Sequence, residues 1–306
     1  MSNLNKSADQ IRKLIAARVK KGERDTASRY AVLLNDIRRE LATVYESYEV
    51  GGKLTYAEMA KYDRLNKFMS QVNHLIGPHF KDLKKIIYGV LGESYLDGYY
   101  LTAWAVETET LSRLGYSVVA AETITAMIEN PISGLTLNDR LEKKRLDIIY
   151  TIQQEVTQGL VKGETYRTMA RRLKGSLEND AVKTMRIVRT EGHRVQESSR
   201  HDSTIHAHKN GVRMLKKWND SQDERVRENE KEDHSELGKR APIPVDQLFT
   251  QGGASGPCPG QMGAAAHDIN CRCFVTYSVE KIEKVDAKEL QDMAFETWKK
   301  ERLKAA

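Results

Sequence analysis

The densest concentration of chemically capable side chains lies near the C-terminus. Cys258, Cys271 and Cys273 fall within sixteen residues of one another, with His234 upstream and His267 between them. On a strand, residues two apart project to the same face, so the thiols of Cys271 and Cys273 can converge. With Cys258 and either His234 or His267 they would make up the four ligands of a tetrahedral zinc site. A single C-x-C with one distant cysteine is weaker than the paired C-x2-C spacing of established zinc motifs. The expectation is therefore a structural role, the thiols packing as small hydrophobes, with no cofactor and with zinc as the alternative.

A second constellation is acidic and basic: Asp223, Arg225, Arg227 and His234, to which Arg189 and Glu191 could be added to give an acid/base cluster of the kind nucleases use. Against it, the segment Asp220 to Glu236 carries eight acidic and three basic residues, which repel a phosphodiester. No HExxH and no P-loop accompany it. No catalytic residue is expected. Arg189 and Glu191 are read as ties between a helix and the segment that follows, with Glu191 and Arg194 at the i, i+3 spacing of a helical ion pair. His193, His201, His206 and His208 share no periodicity with a carboxylate or cysteine and are read as surface or interfacial.

Charge is distributed unevenly over the 306 residues. The net charge is +6, but Thr136 to Lys217 holds 18 Lys and Arg against 10 Asp and Glu, a balance of +8, leaving −2 elsewhere. Such a field suits phosphate backbones without reading their sequence. The DNA-facing candidates are Arg140, Lys143, Lys144, Arg167, Arg171, Arg172, Lys174, Lys183 and Arg186. A mean hydropathy of −0.60 and only six prolines indicate a soluble, helix-rich chain. No membrane span is expected, nor a secretory signal in MSNLNKSADQIRKL, and three cysteines without such a signal suit a reducing compartment.

The elements that must position these residues follow from periodicity. Ile11, Leu14, Ile15, Leu33, Leu34, Ile37, Leu41, Val44 and Tyr45 form one helical stripe, ended by Gly51-Gly52. Thr55 with Glu58 opens a second helix that Gly77-Pro78 closes, and Phe80 to Trp104 carries a third. Asn130-Pro-Ile-Ser-Gly134 is a turn. Thr136 caps a helix ending near Gly163, Thr165 caps a short one that Gly175 stops, and another runs from Asp180 to about His201. Strands are expected at Val212–Trp218, around Pro242–Val245 and from Cys271 to Val279, with an irregular loop over 251–266 and a terminal helix from Ala287 to Leu303, leading to Lys304.

From Ser133 onward the chain resembles the phage head morphogenesis family, the minor head proteins typified by protein F of phage Mu. The ordered landmarks are SGLTLNDRLEKKRLDIIYTIQQEVTQGLVKGETYRTMARRL; then Arg189-Thr190-Glu191; Trp218, Asp220, Asp223, Arg225 and Arg227; His234, Leu237 and Gly238; Asp246 and Phe249; and Asn270-Cys271-Arg272-Cys273. Two departures stand out: six residues, Glu228 to Asp233, separate the Arg-Val-Arg from His234, and the loop before Asn270 carries the additional Cys258.

The expected fold is mainly α with a small α+β C-terminal domain: a helical N-terminal bundle over 1–132, a basic helical region over 133–210, a small α+β domain over 211–285 and a C-terminal helix over 286–306. The resemblance implies a non-enzymatic minor head protein within the phage head, assembled in the host cytoplasm and docked on the portal protein. It would also contact scaffold or major capsid protein, bind double-stranded DNA without sequence preference, and assist procapsid assembly and genome packaging or ejection. The alternative is a nuclease-like or toxin-like enzyme using the C-terminal domain.

Overall fold

The computed structural model describes residues 3–283, 285 and 287–303; Lys304 lies outside the described residues. The helices are α1 (Asn3–Tyr48), α2 (Tyr56–Ala60), α3 (Arg64–Thr110), α4 (Ala121–Ile128), α5 (Leu137–Lys162), α6 (Tyr166–Lys209), α7 (His234–Lys239), α8 (Ala265–Asp268) and α9 (Phe295–Arg302). The strands are β1 (Val212–Asn219), β2 (Ile243–Pro244), β3 (Phe249–Gln251), β4 (Ala254–Gly256) and β5 (Phe274–Ile282). The chain is thus mainly helical with a small antiparallel sheet near the C-terminus, as its periodicities indicate. Among the described residues no helix is long and apolar enough to cross a membrane.

The contacts group into two compact units: Met1–Lys20 with Gly89–Thr136 and Arg189–Ala306, and Lys21–Tyr88 with Leu137–Val188. The long helices α1, α3 and α6 each contribute residues to both. The second unit is entirely helical. Its core takes Leu33, Ile37 and Leu41 from α1, Phe68, Val72, Ile76 and Phe80 from α3, Leu141, Ile148 and Ile152 from α5, and Met169, Leu173 and Leu177 from α6. Tyr30 shares a 2.7 Å hydrogen bond with Thr184, and the Tyr45 hydroxyl donates to the Glu164 carbonyl at 2.7 Å.

Several helix boundaries differ from the sequence expectation. Gly77-Pro78 does not end a helix, because α3 runs through it. Proline leaves the His74 carbonyl without its intrahelical donor, but both residues lie on the exposed face, where water serves, while Val72, Ile76, Phe80 and Leu83 hold the buried face on either side. Gly175 is likewise passed, since Leu173 and Leu177 keep the apolar stripe continuous and an exposed helical glycine costs only about 1 kcal/mol. Conversely, Thr55 caps α2 as expected, its hydroxyl accepting from the Glu58 amide, yet α2 ends after five residues. Tyr62 and Asp63 adopt left-handed φ values of 54° and 58° before α3 begins.

In the first unit the sheet order is β2-β1-β5, all antiparallel. Strand β1 pairs with β5 from Val212↔Ile282 to Asn219↔Phe274, with an irregularity between Arg213 and Met214. Alternation buries Val212, Met214, Lys216 and Trp218. Lys216 is the unexpected member. Its Nζ donates to the Pro257 carbonyl at 2.8 Å and lies over the Phe249 ring, and burial pushes its pKa down to about 8. The C-x-C pair precedes the ladder instead of lying on it, because β5 begins at Phe274. The region expected as loop contains the β3–β4 hairpin, turned by Gly252 and Gly253 at positive φ, and the short α8. The C-terminal helix is shorter than expected, with a separate 3-10 turn at Lys288–Leu290 before α9.

Close approach between α1 and α6 within this unit depends on Gly192. A Cβ there would lie 2.3 Å from Val19 Cγ2. Gly192→Ala is expected to destabilise the protein by about 1–3 kcal/mol through overpacking, although alanine is the better helix former, as a lower urea midpoint would show.

Candidate functional site

Helix α6 enters the first unit carrying an unusual load of buried polar residues: Thr190, Glu191, Arg194, Gln196, Glu197, Ser198, Arg200 and His201. Burying charge costs several kcal/mol per ion unless each is paired and hydrogen-bonded. The sequence meets that condition by i, i+3 spacing. Arg194 contacts Glu191 at 2.6 Å, with side chains 1% and 0% exposed, and Arg200 contacts Glu197 at 3.3 Å. The guanidinium of Arg194 also donates to the carbonyls of Met127 and Ile128 at 2.8 and 2.7 Å, satisfying groups that the end of α4 leaves without intrahelical donors. Glu197 accepts the amide of Val275 in β5 at 2.8 Å, and Thr190 Oγ1 accepts the amide of Asn270 at 3.4 Å.

The His-Cys cluster sits beside this line. Asp233 caps α7 by accepting the Glu236 amide, and His234, the first residue of α7, donates its own amide to the Arg227 carbonyl at 2.8 Å. This turns its ring inward against Trp218, centroids 5.2 Å apart. His234 Nδ1 lies 3.4 Å from Cys273 Sγ and 3.7 Å from Cys271 Sγ, and the three donor atoms lie within 4.8 Å of one another, all on buried residues. His234 Nε2 is 3.1 Å from His267 Nδ1. The thiol of Cys271 donates toward Cys273, which raises the pKa of Cys271 to about 11 and lowers that of Cys273.

The remaining landmarks divide clearly. Cys258 is buried elsewhere, its Sγ 4.0 Å from Gln261 Oε1, and burial raises its pKa well above the ordinary thiol value. His267 backs His234 and does not face the sulfurs with its Nδ1. Asp223 pairs with Arg272 at the surface and caps the amide of Arg225, while Arg227 donates to the Ile269 carbonyl. Gly238 allows α7 to approach Asp220, since a Cβ would meet Asp220 Oδ2 at 2.6 Å. The acid/base constellation is not assembled: Glu191 is held by Arg194, Asp223 by Arg272, and His234 faces sulfur.

The four histidines read as surface or interfacial are drawn inward instead. His193 has a buried Nε2, His201 is buried, His206 shares a 2.7 Å hydrogen bond with the Leu114 carbonyl, and His208 accepts the Met214 amide. They lie on the part of α6 enclosed by the first unit. Helical periodicity alone does not reveal that enclosure, because nearly every face of the segment is covered.

The nine basic candidates all belong to the second unit. Arg172 is engaged by Glu155 and Glu164 and also donates to Gln158, so it braces α5 against α6. Lys144 pairs with Asp147, Lys183 with Asp180 and Lys174, more loosely at 3.7 Å, with Glu178. Arg140 is half-buried and also has an interaction partner. Lys143, Arg167, Arg171 and Arg186 are exposed and form no ion pair among the described residues. Arg167, Arg171 and Lys174 follow the i, i+4, i+7 spacing of one helical face.

This arrangement, a charged helix locked to a small sheet by the Arg-Thr-Glu, Trp-Asp, His and Cys-Arg-Cys segments, coincides with residues 150–276, which match the family model described as phage Mu protein F like protein. The chain belongs to this family of phage minor head proteins, and its role lies in head morphogenesis. It is 35% identical over 252 residues to the minor head protein GP7 of Bacillus phage SPP1, covering 82% of this chain and 80% of that protein. It is also 25% identical over 310 residues to an NAD(+)–arginine ADP-ribosyltransferase, EFV, of Enterococcus faecalis. That match takes in 99% of this chain but 62% of the transferase's length. No solved structure gives a significant match.

Two outcomes test the buried polar line. Arg194→Ala removes the buried cation beside Glu191 and strips the Ile128 carbonyl of its guanidinium donor, so a loss of about 3–5 kcal/mol in unfolding free energy is expected from urea titration. His201 responds to pH. Burial, followed by the nearby Lys216 charge, lowers its folded pKa to about 3, so the unfolded state takes up the proton first. Stability should therefore fall as pH drops below about 6.5, by up to about 1.4 kcal/mol per pH unit from this group. His201→Gln should flatten that dependence between pH 6 and 5, measured by urea titrations at each pH.

Proposed function

We propose that this minor head protein holds double-stranded DNA without sequence preference through the second unit, while its helical surfaces dock on the portal and contact scaffold or major capsid protein. The observation that carries the DNA reading is the set of exposed cations on α5 and α6: Lys143, Arg167, Arg171 and Arg186 make no ion pair among the described residues, and Lys174 makes only a loose one. A row of guanidinium and ammonium groups at one-turn spacing meets phosphates as point contacts and releases counterions, with no base edge read. The relative in phage SPP1, named a minor head protein, supports a place in the phage head, and a part in procapsid assembly and in packaging or ejection belongs to the same proposal.

The chain carries out no catalytic step in this reading. The transferase relative prompts the contrary one, in which the chain is enzymatic. The acidic, basic and histidine residues of the C-terminal motif series are committed to structural partners. Incubation with NAD+ and an arginine-rich protein acceptor is expected to give no transfer of ADP-ribose; transfer lost on heat denaturation would establish the enzymatic reading instead.

For DNA, fluorescence anisotropy with duplexes of unrelated sequence should give equal affinities that fall steeply between 50 and 200 mM salt, roughly the range over which phosphate contacts weaken most visibly. Arg167→Ala with Arg171→Ala should reduce the log–log salt slope by about 2, at roughly 0.9 for each phosphate no longer neutralised. A slope unchanged by the double substitution, or affinity indifferent to salt, would refute the assignment to this face.

A further inference from the structure

We propose that the first unit is organised around a structural zinc ion held by the sulfurs of Cys271 and Cys273, by Nδ1 of His234 and by the ring of His193. The site is independent of the DNA-binding reading, since all four residues belong to the first unit and none of the basic candidates does.

The donor spacing fits such an ion. A tetrahedral centre with Zn–S near 2.3 Å and Zn–N near 2.0 Å sets each nitrogen–sulfur edge at about 3.5 Å. The two edges from His234 Nδ1 measure 3.4 Å to Cys273 and 3.7 Å to Cys271. The mutual spread of 4.8 Å or less among the three donor atoms accommodates the sulfur–sulfur edge as well.

The surroundings also set the right tautomer. The His267 ring is hydrogen-bonded to the backbone of Lys231, while its Nδ1 faces His234 Nε2. With Nε2–H of His234 donated to His267, the lone pair of His234 Nδ1 is directed to the sulfurs, as a ligand requires. Outer-shell hydrogen bonds of this kind fix the orientation of metal-ligating histidines. On the sulfur side, the indole N–H of Trp218 is buried beside Cys273.

A fourth ligand is offered from α6, from outside the 4.8 Å cluster of the other three donor atoms. The His193 ring lies against the Cys271 side chain and the backbone of Cys273, with its Nε2 buried. Two thiolates, two neutral imidazoles and Zn2+ sum to zero charge, which suits an enclosed place. Binding displaces the two thiol protons to solvent, and four protein ligands leave no position for water, so the centre is structural and not catalytic. Mixed nitrogen and sulfur donors in tetrahedral array favour zinc over magnesium or calcium. The ion would join α6, α7 and the approach to β5.

The test uses the full chain purified in reductant. Elemental analysis should find about one zinc per chain, retained through dialysis. After chelator treatment, cobalt(II) titration should give the visible bands of tetrahedral coordination and a near-ultraviolet thiolate-to-cobalt charge-transfer band. Cys273→Ser should diminish that charge-transfer band, and His193→Ala should weaken cobalt affinity by at least about 10-fold without abolishing binding. If Cys273→Ser does not fold, the wild-type cobalt spectrum and His193→Ala still decide. Absence of zinc together with absence of tetrahedral cobalt bands overturns the proposal. Metal binding unaltered by Cys273→Ser places the ion elsewhere, and affinity unaltered by His193→Ala removes His193 from the site.

Discussion

The first unit depends on the solvation of charge by other parts of the same chain. Helix α6 carries glutamate and arginine into a place water does not reach, and each ion answers a need elsewhere: Arg194 terminates α4 by filling the carbonyl positions its last turn leaves open, and Glu197 receives an amide from β5. The ion pairs along the helix neutralise the charges, while the bonds leaving the helix, with the Asn130 amide on the Met127 carbonyl, fix where its neighbours sit. An apolar helix of the same volume could supply the burial. It could not specify which carbonyl and which strand amide are to be met, so the polar line defines an alignment that hydrophobic contact alone leaves open.

Much of this was legible in the residues. The i, i+3 spacing of Glu191 and Arg194 announces an ion pair, the Asn130-to-Gly134 cluster forms the expected turn with Ser133 and Gly134 at positive φ, and Val212 to Trp218 is a strand with the expected alternation. What escaped has common physical causes. Pro78 and Gly175 are punctuation only when the surrounding apolar stripe is weak, and here the buried face on both sides outweighs the local preference. Lys216 lies inward because strand alternation leaves it no other side. His193 could not be associated with Cys271 and Cys273 from spacing, because the three meet only after α6 packs under a segment some eighty residues later.

The family's motif series can accordingly be seen as a set of fastenings. Thr190 and Asn270, Asp220 and Gly238, and His234 with the two cysteines each close a contact between segments far apart in sequence. The second unit uses ion pairs differently. Around Arg172 they brace two helices, and the cations left over point to solvent. On the single helix α6, paired arginines hold the fold while Arg167, Arg171 and Arg186 stand exposed.

One feature of the small sheet bears on life in a crowded particle. Its outer positions are β2 and β5. Strand β2 is two residues long and one of them is Pro244, which has no amide proton to offer; on the opposite side the Val275 amide is already taken by a carboxylate. On the β2 side a neighbouring copy of the chain therefore finds little backbone on which to add a strand, and that edge is guarded against the cross-chain sheet extension that leads to aggregation.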